Sequence, residues 1–287
     1  MKSKNLMKVS LASLLLASPI LEASAFNISI DAGHGGNGST PGKRFLDGER
    51  YEWDINDAVA DYLKPMLEKY GVNVYRLDDE TGQNDVSLNE RLRRAINVGS
   101  DLHISIHQNS AGSENWCEAT GTEVYYSTLG SARSIQLAKE AANRMSEYIQ
   151  TRNRGAKTNN LFITREFTNA NIDAILVEGI FMDNYEDTRY MMSDEYAQRY
   201  AQAIADSIYN TYRSQINNEP FQIQVRKDLG ETLNIRKEPN ATSEIVGEVK
   251  PGEVFTIVEV EGNFGKLASG AGWINISMKF TNNITLN

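Results

Sequence analysis

The chain has 287 residues, 40% of them hydrophobic and 23% charged, with a formal net charge of −9. That length holds one medium domain and a small one, each able to bury its own core. The acidic balance excludes binding of nucleic acid or anionic membrane surfaces through bulk charge.

The N-terminus reads as a targeting segment. MKSKNLMKVS is basic, LASLLLASPIL is an apolar core too short to span a bilayer, and Ala23-Ser24-Ala25 is a small-x-small cleavage site. This predicts a secretory signal over residues 1–25, a mature start at Phe26, and a protein that is secreted, extracellular or wall-associated, or else periplasmic, without stable membrane insertion. Cys117 is the only cysteine, so no internal disulfide forms, and in AGSENWCEAT it reads as an incidental loop thiol.

From Phe26 the patterns alternate. FNISID is a strand, and Asn37 to Asp47, with Pro41 and Gly42, is a loop. Ile55, Val59, Tyr62, Leu63, Met66, Leu67 and Tyr70 predict an amphipathic helix closed by Gly71 and kinked at Pro65. VNVYRL follows as a strand. Ser87 with Glu90 caps a helix whose Leu88, Leu92 and Ile96 share one side. LHISIH and TEVYYS are strands, and Ser131 starts a helix carrying Ile135, Ala138, Ala142, Met145 and Ile149. AILVEGIF is a buried strand, and Ser193 opens a helix with Tyr196, Tyr200, Ile204 and Ile208. Residues 26–215 therefore predict an α/β domain with a mostly parallel sheet flanked by helices. A polar linker follows at 216–221. Residues 222–287, with FQIQVRK, EIVGEV, EVFTIVEVE and AGWINIS between Pro, Gly and Asn turns, predict a small all-β barrel domain.

Gly33 to Gly38, GHGGNG, fits the dinucleotide fingerprint G-x-G-x-x-G, and Glu52 lies near the distance of its acid. The context fails. STPGKRFLDG cannot be the helix that holds a pyrophosphate, and Glu52 opens a helix where the fingerprint needs the end of a strand. The histidines give a better account. His103 and His107 share a strand face but lie about 13 Å apart at roughly 3.3 Å per residue, so they cannot hold one metal. His34 and His107 both stand at strand carboxyl ends, where α/β sheets gather ligands. Glu52 faces the same edge, and Glu178 ends the strand AILVE there. Two histidines and a carboxylate describe a catalytic zinc site, with Glu178 as the unligated acid/base and the glycines giving clearance around His34. The competing account makes the histidines structural and Glu52 a partner of the helix dipole.

These residues resemble the zinc-dependent N-acetylmuramoyl-L-alanine amidases. IDAGHGG resembles that family's first ligand motif, EWDIN its E-x-x-x-N helix start, SIHQN its S-I-H-x-N, and LVEGIFMDN the motif of its catalytic glutamate. VYRLDD, SLNERLRRAIN and TGTEVYY are similar landmarks between them, and the resemblance runs from Phe26 to about Arg213. It implies Zn2+ held by His34, Glu52 and His107, with Glu178 as general base and acid. The reaction it implies is cleavage of the amide joining N-acetylmuramic acid to L-alanine of the stem peptide. Departures are VYRLDD, which lacks a threonine before its arginine, and His103 at a position usually apolar or aromatic, read here as a structural residue. Asn109 follows the family's asparagine near the site. Arg165, in FITREF, is read as a surface salt bridge or a site residue, and Trp116 as a stacking surface for substrate or a loop-packing aromatic.

LNIRKEPNATSEIVGEVKPGEVFTIVE and GKLASGAGWI resemble bacterial Src-homology-3 domains, which commonly bind wall peptides. Leu233, Ile235 and Trp273 read as core of that domain. The whole implies a monomeric peptidoglycan hydrolase anchored to its substrate by the small domain. The alternatives are a zinc metallopeptidase or deacetylase acting on wall polymers, and a non-catalytic wall-binding protein.

Overall fold

The computed structural model describes residues 26–36, 45–46, 48, 50–112, 114–216, 220–261, 263–277 and 280–284. The expected signal segment, most of the loop over 37–47, and residues 217–219 of the expected linker lie outside the described residues. The first unit contains β1 (Asn27–Ala32), α1 (Glu52–Glu68), β2 (Asn73–Arg76), α2 (Leu88–Asn97), β3 (Leu102–Asn109), β4 (Thr122–Tyr126), α3 (Ala132–Ile149), β5 (Asn153–Thr158), α4 (Phe162–Asn169), β6 (Asp173–Phe181), α5 (Tyr185–Met191) and α6 (Asp194–Ile216).

Its six strands form one sheet in the order β2-β1-β3-β6-β4-β5. β1, β2, β3 and β6 are mutually parallel, β4 runs antiparallel to β6, and β5 runs parallel to β4. The expectation of a mostly parallel sheet flanked by helices is met, with this one reversal. Among the described residues no helix joins β3 to β4, so β4 starts at the edge where β3 ended and must run back the other way.

Both sheet faces are covered, as a parallel sheet requires. Ile104, Ile106, Ile175, Val177 and Val124 pack under α1, α3 and α6. Ala174 and Leu77 pack under α2 and α4 with Ala95, Ile163 and Phe167. The stripe Ile55, Val59, Leu63 and Leu67 of α1 is buried, at about 1.5–3 kcal/mol for each side chain.

Helices α1, α6 and α2 each depart locally from a plain amphipathic pattern. In α1 Pro65 lies inside the helix, which runs on to Glu68. Pro65 has no N–H to give the Asp61 carbonyl one turn back, and the buried Leu63 and Leu67 anchor the helix on either side of it. The irregular residue is instead Tyr212 in α6 (φ −111°, ψ 15°), whose ring packs on Phe26 and whose hydroxyl donates to Asp173 Oδ2 at 2.7 Å. In α2 the expected apolar side is only partly buried: Leu92 packs on the core, Leu88 is 46% and Ile96 53% exposed, and Arg91 and Ala95 are buried. A buried polar cluster around Arg91, described below, decides the rotation of that helix.

The second unit contains β7 (Phe221–Val225), β8 (Leu233–Arg236), β9 (Ile245–Val249), β10 (Val254–Glu261), β11 (Phe264–Leu267), β12 (Trp273–Asn275) and β13 (Thr281–Ile284). These make one antiparallel sheet, β13-β7-β10-β11-β12-β8-β9, over a core that includes Ile223, Val225, Ile257, Leu267 and Ile274. Leu233, Ile235 and Trp273 are buried.

The first unit meets the second at the C-terminal end of α6. Arg213 is buried there, stacked on Tyr209 and Phe221, with Nη1 on the carbonyl of Ile276 at 3.5 Å. The N-terminal end of α6 lies at the opposite edge of the sheet, where Tyr196 Oη donates to Gln108 Oε1. The helix thus spans the domain from the carboxyl ends of β3 and β6 to their amino ends.

Candidate metal centre

β1 and β3 lie side by side, and the amide of Gly33 donates to the Ile106 carbonyl at 2.8 Å, carrying the pairing past the end of β1. The chain then turns sharply at His34, one of three non-glycine residues among those described that lie in the left-handed region, with φ of 67°. A side chain pays strain to sit there, so its surroundings must hold it. Arg91 does so. Its Nη1 donates to the Ala32 carbonyl at 2.8 Å and its Nη2 to the His34 carbonyl at 2.7 Å. Asn56 Nδ2 adds a hydrogen bond to the Gly33 carbonyl at 3.3 Å.

The glycines are therefore not the turn itself. They supply clearance. A Cβ on Gly33 would lie 2.2 Å from His107 Cε1, and one on Gly35 would lie 2.7 Å from the backbone of Asp85. Gly33→Ala is expected to displace the His107 ring, to cost about 1–3 kcal/mol by overpacking, and to weaken metal binding. Thermal unfolding with and without added zinc measures both effects.

Glu52 is the first residue of α1 and is almost fully buried. Its two oxygens divide between the histidines: Oε2 lies 3.1 Å from His34 Nε2, and Oε1 lies 3.0 Å from His107 Nδ1. Oε1 also accepts the amide of Gln108 at 3.1 Å. One ligand atom from each of the three residues falls within 4.8 Å of the others. The imidazole rings stand edge to face, 4.9 Å between centroids. Burial pushes the Glu52 carboxyl up, but hydrogen bonds from His107 and His34 outweigh it and hold the group well below its usual range. Burial likewise opposes a charge on His34, and its contact with Glu52 raises it nonetheless.

Strand register sets the rest of the site. His107 pairs with Glu178 on β6, and Glu178 pairs with Glu123 on β4. Directly paired residues share a sheet face, so the three form a row across β3, β6 and β4. Neither His107 nor Glu178 ends its strand as expected, since β3 continues to Asn109 and β6 to Phe181. Glu178 Oε2 is shut from solvent with no hydrogen-bond partner among the described residues. Burial, then repulsion from Glu52 and Glu123, pushes its carboxyl well above the ordinary value. A buried carboxylate oxygen without a donor is costly unless something else pairs with it.

Other side chains lock the row in place. Tyr200 Oη donates to the His107 carbonyl at 3.1 Å, and Gln108 Nε2 donates to Asn56 Oδ1 at 3.1 Å. Beneath, Asp31 faces Arg91 at 3.1 Å and accepts Ser105 Oγ at 2.7 Å. His103 lies fully buried in this cluster, 2.9 Å from Ser29 Oγ and stacked on Phe167. It takes no part in the centre. Asn109 is adjacent, its Oδ1 on the Ser110 amide and its amide group beside Glu123. On α4, Arg165 pairs with Glu166 and with Asn160 just before the helix, the surface-salt-bridge alternative. Trp116 is 43% exposed and packs edge-on against Tyr185 of α5.

The two nitrogens and one oxygen fit zinc, for which two histidines and a glutamate with one open position are a usual catalytic set. Asp31 and Glu123 stood inside motifs already noted, IDAGHGG and TGTEVYY. Arg91 and Gln108 also stood inside quoted motifs and Tyr196 and Tyr200 on a predicted helix face, but their roles here depend on partners distant in sequence.

A family profile described as N-acetylmuramoyl-L-alanine amidase matches residues 28–210, and one described as bacterial SH3 domain matches 231–278. The chain is 33% identical over 188 residues to the uncharacterized protein YqiI of Bacillus subtilis (strain 168), covering 64% of this chain and 84% of that protein. It is 30% identical over 202 residues to the N-acetylmuramoyl-L-alanine amidase LytC of the same organism, covering 69% of this chain and 37% of that one. Among solved structures, the N-acetylmuramoyl-L-alanine amidase from Clostridium difficile 630 superposes with a TM-score of 0.59 at 29% identity, covering 67% of this chain and 98% of that one.

Proposed function

Because the chain belongs to the N-acetylmuramoyl-L-alanine amidase family, we propose that it cleaves its substrate with zinc held by His34, Glu52 and His107 and with Glu178 as general base and acid. The protein is a peptidoglycan amidase: it hydrolyses the amide between N-acetylmuramic acid and the L-alanine of the stem peptide. One observation carries the reading of the centre, the convergence of two histidine nitrogens on the buried Glu52, one residue pair away from a donorless Glu178.

Zinc, when bound, lowers the pKa of water toward neutrality and polarises the carbonyl under attack. Glu178 Oε2 takes a proton from the attacking water and returns it to the nitrogen of the departing L-alanine. The desolvation that raises the proton affinity of Glu178 suits the second half of that exchange, in which the group must act as an acid. Beside a bound cation Glu178 would instead favour the base form needed first. The Gln108 amide holds the Glu52 carboxylate, Tyr200 holds the His107 carbonyl and Arg91 that of His34, so the ligands are set before substrate arrives.

The small domain is read as an anchor to the wall. Linking it to the catalytic unit raises the effective concentration of substrate at the centre. The basic-apolar N-terminus supports export, and among the described residues no helix is long and apolar enough to cross a membrane. The test is mass spectrometry of digested peptidoglycan. New free amino-terminal L-alanine is the expected product, whereas cuts within the stem or release of acetate point to a peptidase or a deacetylase.

A further inference from the structure

We propose that Arg154 and Lys157, on the edge strand β5, form a subsite for a carboxylate of the stem peptide. The inference rests on the amidase reading above. Glu123 is a positioning residue in it. That glutamate is buried and pairs directly with Glu178, so it lies one strand away, about 4.8 Å. Both cations end on the same oxygen, Arg154 Nε at 2.7 Å and Lys157 Nζ at 2.5 Å from Glu123 Oε2, while Tyr125 Oη donates to Oε1 at 2.6 Å. One carboxylate thus holds two cations, and one positive charge is left over beside the centre.

The donors are also left over. A guanidinium carries five N–H groups and an ammonium three. Arg154 spends only Nε on Glu123, and among the described residues nothing accepts from its Nη1 or Nη2. Its side chain is 28% exposed and that of Lys157 39%, so both heads reach solvent. The Phe181 ring, at the end of β6, lies 4.9 Å from the guanidinium carbon. The register between β4 and β5 shifts between Thr122 and Val124, placing one extra residue in β5 where Arg154 projects. Such bulges re-aim side chains beside active sites. A fixed guanidinium with its Nη edge free is suited to a bidentate carboxylate.

In peptidoglycan the stem peptide carries carboxylates, and the N-acetylated sugars carry none. The cation pair therefore draws the peptide toward β4 and β5, leaving the glycan to the other side of Glu178. The nearest carboxylate along the stem belongs to its second residue, a glutamate whose α-carboxylate is free in some walls and amidated in others.

The test compares two synthetic muropeptides with the full-length zinc-loaded protein, one with that carboxylate free and one with it amidated. The wild type is expected to favour the free acid in kcat/KM by about tenfold or more, the effect of one charge-assisted pair. Arg154→Gln should bring the ratio toward one, chiefly through KM, and Arg154→Lys, which keeps the charge without the fork, should fall between. A wild-type ratio near one overturns the proposal. So does an Arg154→Gln variant that lowers both substrates equally, as an ion pair serving only to hold β5 would. If neither substrate yields free amino-terminal alanine, the amidase reading itself has failed. Zinc content and unfolding temperature of each variant separate these outcomes from misfolding.

Discussion

Glu178→Gln is expected to keep its fold and its metal and to lose about 10²–10⁴-fold in kcat, the usual contribution of a positioned acid/base. The replacement preserves shape and removes the capacity to take and return a proton. It also removes one of three carboxylates crowded at the strand ends, so the metal-free variant should be no less stable than the metal-free wild type. The sign follows from the raised proton affinity of Glu178. Above the ordinary value of 4.5 the unfolded chain gives up this proton while the folded chain keeps it. The folded state then binds more protons, and stability falls as pH rises from there toward the raised folded value. Chemical unfolding of both metal-free proteins over that interval should show this downward contribution in the wild type and its absence in the variant. A variant that releases stem peptides at near wild-type rate removes Glu178 from the chemistry.

Glu52→Ala should do more damage by a different route. It removes the one carboxylate shared by His34 and His107 and leaves the buried Gln108 amide without its acceptor. Each stranded buried group costs about 1–3 kcal/mol, and the metal loses a ligand from a set of three. The expected result is a destabilised protein without measurable activity, with zinc far below one per chain and an unfolding temperature that no longer rises when zinc is added. Atomic absorption and thermal unfolding read these directly. A variant with full zinc and full stability would mean that Glu52 is not a ligand. The pair of substitutions is informative together, since one abolishes chemistry with metal retained and the other abolishes both.

Much of this architecture was legible in one sequence because its signals are local. Period and punctuation marked β1, β3, β6, α1, α3 and α6, and strand ends pointed to His34 and His107. What escaped depends on partners distant in sequence. β5 (NRGAKT) is a polar edge strand with no alternation to read, and α4 and α5 are only 8 and 7 residues long. The rotation of α2 was misjudged because Arg91 satisfies Asp31 and two carbonyls of the His34 turn, and that network outweighs exposing Leu88 and Ile96. Glu123 lay in plain view in TGTEVYY. Its place beside Glu178 needed the reversal of β4, which no periodicity announces.

α6 is 23 residues long, about 34 Å at 1.5 Å per residue. One end abuts the residues behind the metal centre, and the other carries the small domain. Grip and blade thus occupy opposite poles. A molecule anchored by its small domain, as proposed above, would present its cleft about one helix length from the point of attachment.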